Sequence, residues 1–478
     1  MSNGDQHEPL WAAAPRSGAG VSRRKLLAAG ALAAAGLATR AGAAGAPGIL
    51  PARTATARNV IFLVADGMSS GALALADHYA RTVLGRATAW RTIAAKTGTR
   101  IAMQSTHSAD SLVTDSSAAS SAWSTGTKHA NGTVCWSAGG PAPTPLLIRA
   151  KSTGRAVGVV TTTTVTHATP GGFYANSPKR DDEAFIGSQL VARPVDIALG
   201  GGAEYIPAAT GGVNGGLRVV RSRDELLGGT PGGERLVGVF AKSHLPMVLD
   251  RAATDPTLPQ LAKAALDRLA GSPDGFFLQI EAGRVDHAGH TNDAPSLLRE
   301  MLEFDVTLAM VEEFCRGRPG TLLVVTTDHA TANAGVAFYG REGIDAIKRL
   351  DGAKHSFEWI AKKMKAADFP KAPEKAALVI ADLLTEATGV PVQAWWFNTL
   401  QAHLEHKRVD PFTSRNPLVC VMGSLVANSL GVAFLSPDHT GDHVPVMAVG
   451  TGAETLPGFI DNCVLHDWVC GVAEIPRA

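Results

Sequence analysis

The sequence predicts an α/β protein: a three-layer α/β/α sandwich with a large, mostly parallel central sheet and an inserted cap- or crown-like region. Three observations carry this. Four continuous apolar runs, at 59–65, 156–162, 276–280 and 321–326, read as strands buried on both faces. Each run is followed within a few residues by carboxylates or imidazoles, where parallel sheets place their sites. Helical patterns, at about 72–84 and 258–270, lie between the runs.

The 478 residues are 45% hydrophobic and 18% charged, enough for one large domain with insertions or for two domains. A net charge of +1 argues against a nucleic-acid surface. The first forty-odd residues are read as a targeting segment. Arg23 and Arg24 precede an Ala/Leu/Gly run too short to span a bilayer, and Ala41-Gly42-Ala43 offers a cleavage site. This pattern resembles a twin-arginine export signal over 1–43, leaving 44–478 as the mature chain and implying a periplasmic or secreted location. No other run is long and apolar enough for a membrane span. Of the five cysteines, Cys463 and Cys470 are near enough in sequence for a C-terminal disulfide, and the absence of a CxxC pair argues against a thiolate zinc site.

Taken in order, the first strand runs into Asp66-Gly67-Met68. Thr114-Asp115-Ser116 then opens a small-residue segment to Trp123. Asp115 is a good N-cap, and a serine in the first turn sits where unpaired backbone N–H groups hold anions. The alternative for this run is close packing against a sheet, with its serines satisfied by backbone. The second strand leads to His167-Ala168-Thr169-Pro170, where Pro170 is expected to limit helix, and Arg180 follows thirteen residues after His167. Residues 196–202 read as a short strand and glycine turn. The third strand ends in Glu281, followed by Arg284, Asp286, His287 and His290. Asp286 and His290 are four apart and share a helical face. Hard carboxylates beside imidazoles suit Zn²⁺, Mg²⁺ or Mn²⁺. The fourth strand ends in Asp328-His329, and Asp438-His439-Thr440-Gly441 precedes a last apolar run at 444–450. In a mostly parallel sheet the strand ends at Asp66, His167, Glu281 and Asp328 converge on one edge. Between about 335 and 436 the character changes. An amphipathic helix from 356 to 365, basic pieces and Trp395-Trp396 read as an insertion over the site or at a subunit contact.

These motifs resemble the alkaline phosphatase family: Asp-Gly-Met, Thr-Asp-Ser…Trp-Ser-Thr-Gly, Leu-Gly-Gly-Gly, Phe-Phe-Leu…Glu-x-Gly-x-x-Asp-His, Thr-Asp-His and His-Thr-Gly, in order and spacing. The resemblance implies hydrolysis of phosphate monoesters through a phosphoserine, with two Zn²⁺ and one Mg²⁺. It implies that Ser116 is the nucleophile and that Asp286, His290 and His439 hold the first zinc. Asp66, Asp328 and His329, with Ser116, would hold the second. Asp66, Thr169 and Glu281 match the third site, and Arg180 matches the arginine that grips phosphate. His167 stands where some bacterial members have aspartate, and His287 where some have lysine. These departures bear on the third metal, which could be another divalent ion, and on the phosphate contact. Ala282 replaces a glycine common in the cluster, and 335–436 aligns with no standard part. Family members are usually dimers, though monomers exist, so the resemblance implies a homodimer with a monomer as the alternative. A phosphodiesterase or sulfatase of the same superfamily, or a non-catalytic phosphate- or metal-binding protein, are the competing readings. Arg180 and Glu281 speak against the diesterase, and the lack of an x-Pro-x-Arg continuation after Ser116 speaks against the sulfatase.

Overall fold

The computed structural model describes residues 56–206, 216–229, 234–407 and 417–478. The export signal expected over 1–43 lies outside the described residues. The strands in chain order are β1 (Asn59–Val64), β2 (Arg100–Ser105), β3 (Ala156–Thr164), β4 (Ile197–Gly201), β5 (Leu217–Val220), β6 (Arg235–Val239), β7 (Phe276–Glu281), β8 (Thr321–Thr326), β9 (Ala330–Thr331), β10 (Gly335–Val336), β11 (Val432–Ala433), β12 (His439–Thr440), β13 (Val444–Gly450) and β14 (Phe459–Asp461). Ten of them form one sheet in the order β14-β2-β13-β8-β1-β7-β3-β4-β6-β5. β13 runs antiparallel to both its neighbours, β2 and β8, and every other pair is parallel.

The four strands expected from the apolar runs are β8, β1, β7 and β3, and they are adjacent. Val64 pairs with both Glu281 and Thr326, so the carboxyl ends of β1, β7 and β8 lie level. Strand periodicity splits the core in two. Ile61, Leu63, Leu278, Ile280, Leu323 and Val325 face one layer, whose helices include Ser70–Thr82, Leu258–Leu269 and Ala294–Arg316. Val60, Phe62, Val64, Phe277, Leu322 and Val324 face the other, with Trp123, Phe173, Leu190 and Trp468. Helices therefore cover both faces, as an all-buried parallel sheet requires.

The described residues of the segment 335–436 are not peripheral to this core. Their helices Gly340–Arg349, Phe357–Met364, Pro373–Thr388, Ala394–Leu404 and Leu418–Leu430 bury Ile347, Phe357, Ile380, Leu384, Trp396 and Met422 in the same cluster as Leu278 and Ile280. Each such side chain contributes about 1.5–3 kcal/mol. Two expectations fail here. Pro170 does not prevent helix, because it lies in the first turn of Ala168–Tyr174, where a backbone N–H has no intrahelical partner to lose. Cys463 and Cys470 are both free. They lie two turns apart on the helix Asn462–Ala473, which separates them by about 10 Å along its axis. No helix among the described residues is long and apolar enough to cross a membrane.

Candidate metal centre

Asp115 caps the helix Ser116–Thr125, accepting from Ala118 N at 2.8 Å. All ten residues of that helix are buried. The packing reading of the small-residue run holds for part of it. Ser120 donates to Ala168 O, while Ser121 and Ser124 accept from Cys135 N and Leu146 N, so those three serve packing. Ser116 instead turns its Oγ to His329 Nε2, 3.1 Å away.

β1 leads through Ala65 into Asp66, which is fully buried, and the chain turns at Gly67 with φ +70°. A Cβ at Gly67 would stand 2.7 Å from Asp286 Oδ1 and from Thr331 Oγ1, so only glycine lets this turn meet the helix Arg284–His290. Gly67 N donates to Asp328 Oδ1 at 3.1 Å, tying the ends of β1 and β8 together. The β12–β9 bridge pairs His439 with Thr331 and brings the C-terminal histidine to the same edge.

Three groups of ligand atoms converge there: Asp286, His290 and His439; Asp66, Asp286 and His329; and Asp66, His167 and Glu281. In the first, His290 Nε2 lies 3.3 Å from Asp286 Oδ2 and His439 Nε2 lies 3.6 Å from Asp286 Oδ1. Asp286 thus belongs to two groups. Asp328 joins the second, with its Oδ2 3.2 Å from His329 Nε2. In the third, Thr169 Oγ1 donates to Asp66 Oδ2 at 3.2 Å, and Thr161 and Thr163 donate to Glu281 Oε2.

These donors fit divalent cations. Asp66 Oδ1, Asp328 Oδ2, Glu281 Oε1 and His167 Nδ1 are buried without a hydrogen-bond partner, which is costly unless positive charge is supplied. Burial, with Asp328, Asp286 and Glu281 close by, holds the Asp66 carboxyl well above its usual range. Burial pushes Glu281 up to about 7. Burial also acts to raise Asp286, but His290, His439 and His329 outweigh it and hold that carboxylate well below its usual range. A cluster of mutually repelling buried carboxylates with imidazole nitrogens aimed among them is a metal-type donor set.

Arg180 stands beside this edge. Its Nη1 donates to Asp115 Oδ2 at 3.1 Å, and its Nη2 lies 3.4 Å from His167 Nε2. His167 caps the helix Ala168–Tyr174 without a capping hydrogen bond, which leaves its ring for the site. The His287 ring lies 5.8 Å from that of His167, with its Nδ1 against the Arg284 guanidinium. Every site residue expected from the sequence is therefore found at this one edge. Sequence reasoning missed His244, in the loop after β6, whose ring packs 4.7 Å from His287 and 5.6 Å from His167. Its Nδ1 accepts from Thr164 N at 3.1 Å.

Residues 57–475 match the alkaline phosphatase family. Alkaline phosphatase 3 of Bacillus subtilis is 27% identical over 434 residues, 85% of this chain and 86% of its own length. Streptomycin-6-phosphate phosphatase of Streptomyces griseus is 31% identical over 341 residues, 58% of this chain and 74% of that one. The crystal structure of Thermus thermophilus alkaline phosphatase superposes with a TM-score of 0.81 at 31% identity, covering 92% of this chain and 96% of that one. The chain belongs to the alkaline phosphatase family of phosphoric monoester hydrolases.

Proposed function

We propose that this protein hydrolyses small-molecule phosphate monoesters through a phosphoserine at Ser116, with two zinc ions and one magnesium ion. The first zinc would be held by Asp286, His290 and His439, and the second by Asp66, Asp328 and His329 together with Ser116 Oγ. Asp66, Thr169, Glu281 and His167 would hold the third ion, for which another divalent cation could substitute. When bound, these ions supply Lewis-acid neutralisation of the charge on the attacking, leaving and non-bridging oxygens. Ser116 Oγ displaces the alcohol and takes the phosphoryl group, and water then cleaves the phosphoserine, releasing phosphate and restoring the hydroxyl. The first-turn N–H groups of the helix that Asp115 caps favour an anion beside Ser116. Arg180 makes a forked contact to two non-bridging oxygens that a diester would present in part as an ester. His287 would supply a further contact to the phosphoryl group.

The observation that carries this reading is the 3.1 Å approach of Ser116 Oγ to His329 Nε2 beside buried, unpartnered carboxylate oxygens. We also read 1–43 as a twin-arginine signal, 44–478 as the catalytic region with 335–436 as its distinctive segment, the location as periplasmic or secreted, and the assembly as a homodimer. The test is turnover of an aryl phosphate monoester beside the matching diester, with zinc and magnesium and then with chelator. Fast, chelator-sensitive monoester turnover supports the proposal. Preference for the diester, or turnover that survives chelation, contradicts it.

A further inference from the structure

The segment 335–436 meets the metal-ligating helix Arg284–His290 at both ends. At its C-terminal end Cys420 Sγ donates to His290 O at 3.2 Å, and just beyond it Phe357 N donates to Asp293 Oδ2 at 2.7 Å. A side chain at Gly423 would run into the carbonyl oxygen of Asn292, so the helix Leu418–Leu430 lies directly against this turn. At the N-terminal end the contact is ionic. Arg284 Nη2 donates to Glu358 Oε1 at 2.6 Å, from a guanidinium whose side chain is 3% exposed to a carboxylate that is 31% exposed.

The other arm of the same guanidinium donates to His287 Nδ1. A guanidinium only donates, so His287 Nδ1 must carry its lone pair. The ring proton then resides on Nε2, which has no partner among the described residues. The neighbouring ring obeys the same rule by another route. Thr164 N donates to His244 Nδ1, which leaves an N–H on His244 Nε2, and the His244 ring packs 4.7 Å from that of His287. The planar fork of Arg284 has one arm for Glu358 and one for His287, so the carboxylate sets the angle at which the guanidinium meets the ring.

We propose that Glu358 is a positioning residue for substrate: through Arg284 it holds His287 in the Nε2–H tautomer, aimed as a donor at the phosphoryl oxygens. This rests on the phosphomonoesterase reading above and deepens it, because it gives part of 335–436 a role in substrate binding as well as in the core. Glu358 belongs to none of the three ligand groups. It acts at a sequence separation of 74 residues, on a residue three positions before His287.

The test is a double-mutant cycle on the purified protein. Glu358→Ala is expected to raise both KM for an aryl monoester and the inhibition constant of inorganic phosphate by about tenfold, with a smaller change in kcat and unchanged zinc content. Glu358→Gln keeps an acceptor for Arg284 and is expected to recover most of that loss. In a His287→Ala background, Glu358→Ala should cost nothing further. An unchanged phosphate inhibition constant in Glu358→Ala overturns the proposal. So does an equal loss in both backgrounds, or a loss that tracks missing zinc, because the segment would then act through the fold. A wild-type protein that turns over no monoester would instead defeat the reading on which the proposal rests.

Discussion

His290 Nε2 and His439 Nε2 stand 3.0 Å apart, while the Nδ1 atom of each faces a backbone carbonyl, Pro437 O at 2.5 Å and Thr114 O at 2.9 Å. Carbonyls only accept, so both Nδ1 atoms carry hydrogen and both Nε2 lone pairs point at one another. Facing lone pairs repel, so a proton or a cation is favoured at this pair, and Asp286 Oδ2, 3.3 Å from His290 Nε2, offers such a proton a second acceptor. Burial lowers His290, but Asp286 more than reverses this and lifts it to about 9. Burial, with His329 nearby, pushes His439 down to about 4. A metal must therefore displace the proton on His290. Below pH 9 that proton competes, so zinc affinity should fall as pH falls. Calorimetry of zinc binding at pH 7.5, in buffers of different ionisation enthalpy, should show release of about one proton from this pair. Binding with no proton release would contradict the assignment.

Arg180 and Ser116 share one anchor. Asp115 accepts from Ala118 N, Ser117 Oγ, Gly132 N and Arg180 Nη1, so the helix cap also holds the guanidinium. Arg180→Ala should weaken phosphate inhibition by about 10–100-fold and leave the melting temperature nearly unchanged, and Arg180→Lys should restore little because the fork is lost. An unchanged KM and inhibition constant in Arg180→Ala would remove Arg180 from the phosphate site.

Away from the site, His466 gives a separate pH signature. Its Nδ1 faces Asp467 Oδ1 at 3.0 Å, and its Nε2 accepts from Arg149 Nη2 at 2.7 Å. Burial first, then the Arg149 charge, lowers it from 6.5 to about 4. Between those values the unfolded chain binds the proton and the folded chain does not, so this group's contribution is lost as pH falls from 6.5 to 4. Chelator-treated wild type should lose about 3 kcal/mol relative to His466→Gln over that range in urea titrations. Parallel stability curves would show that His466 is not held neutral.

Much of this was legible because the chemistry sits at the ends of runs that can only be buried strands. Leu322-Leu323-Val324-Val325 and Val60-Ile61-Phe62-Leu63-Val64 announce both faces of the sheet, and their terminal acids announce its functional edge. The sharing of Asp286 between two ligand groups was not legible, because it depends on how closely Gly67 lets β1 approach a helix more than two hundred residues away. His244 looked like any loop histidine, since its partners, Thr164 and His287, come from other strand ends. Glu358 looked like the polar face of an amphipathic helix. Pro170 misled because its effect depends on where in the helix it falls, and the helix start was not visible beforehand.

The proposed reaction turns on a phosphoryl group carried by Ser116. The direct measurement is to mix the zinc- and magnesium-loaded protein with an aryl phosphate monoester labelled in its phosphoryl group, quench in acid within the first turnover, and map the label by peptide mass spectrometry. One acid-stable phosphoserine per chain is expected, at Ser116, with its complete loss in Ser116→Ala together with turnover, while zinc content stays near that of wild type. Label on Ser117, or full turnover by Ser116→Ala with no labelled peptide, would contradict it.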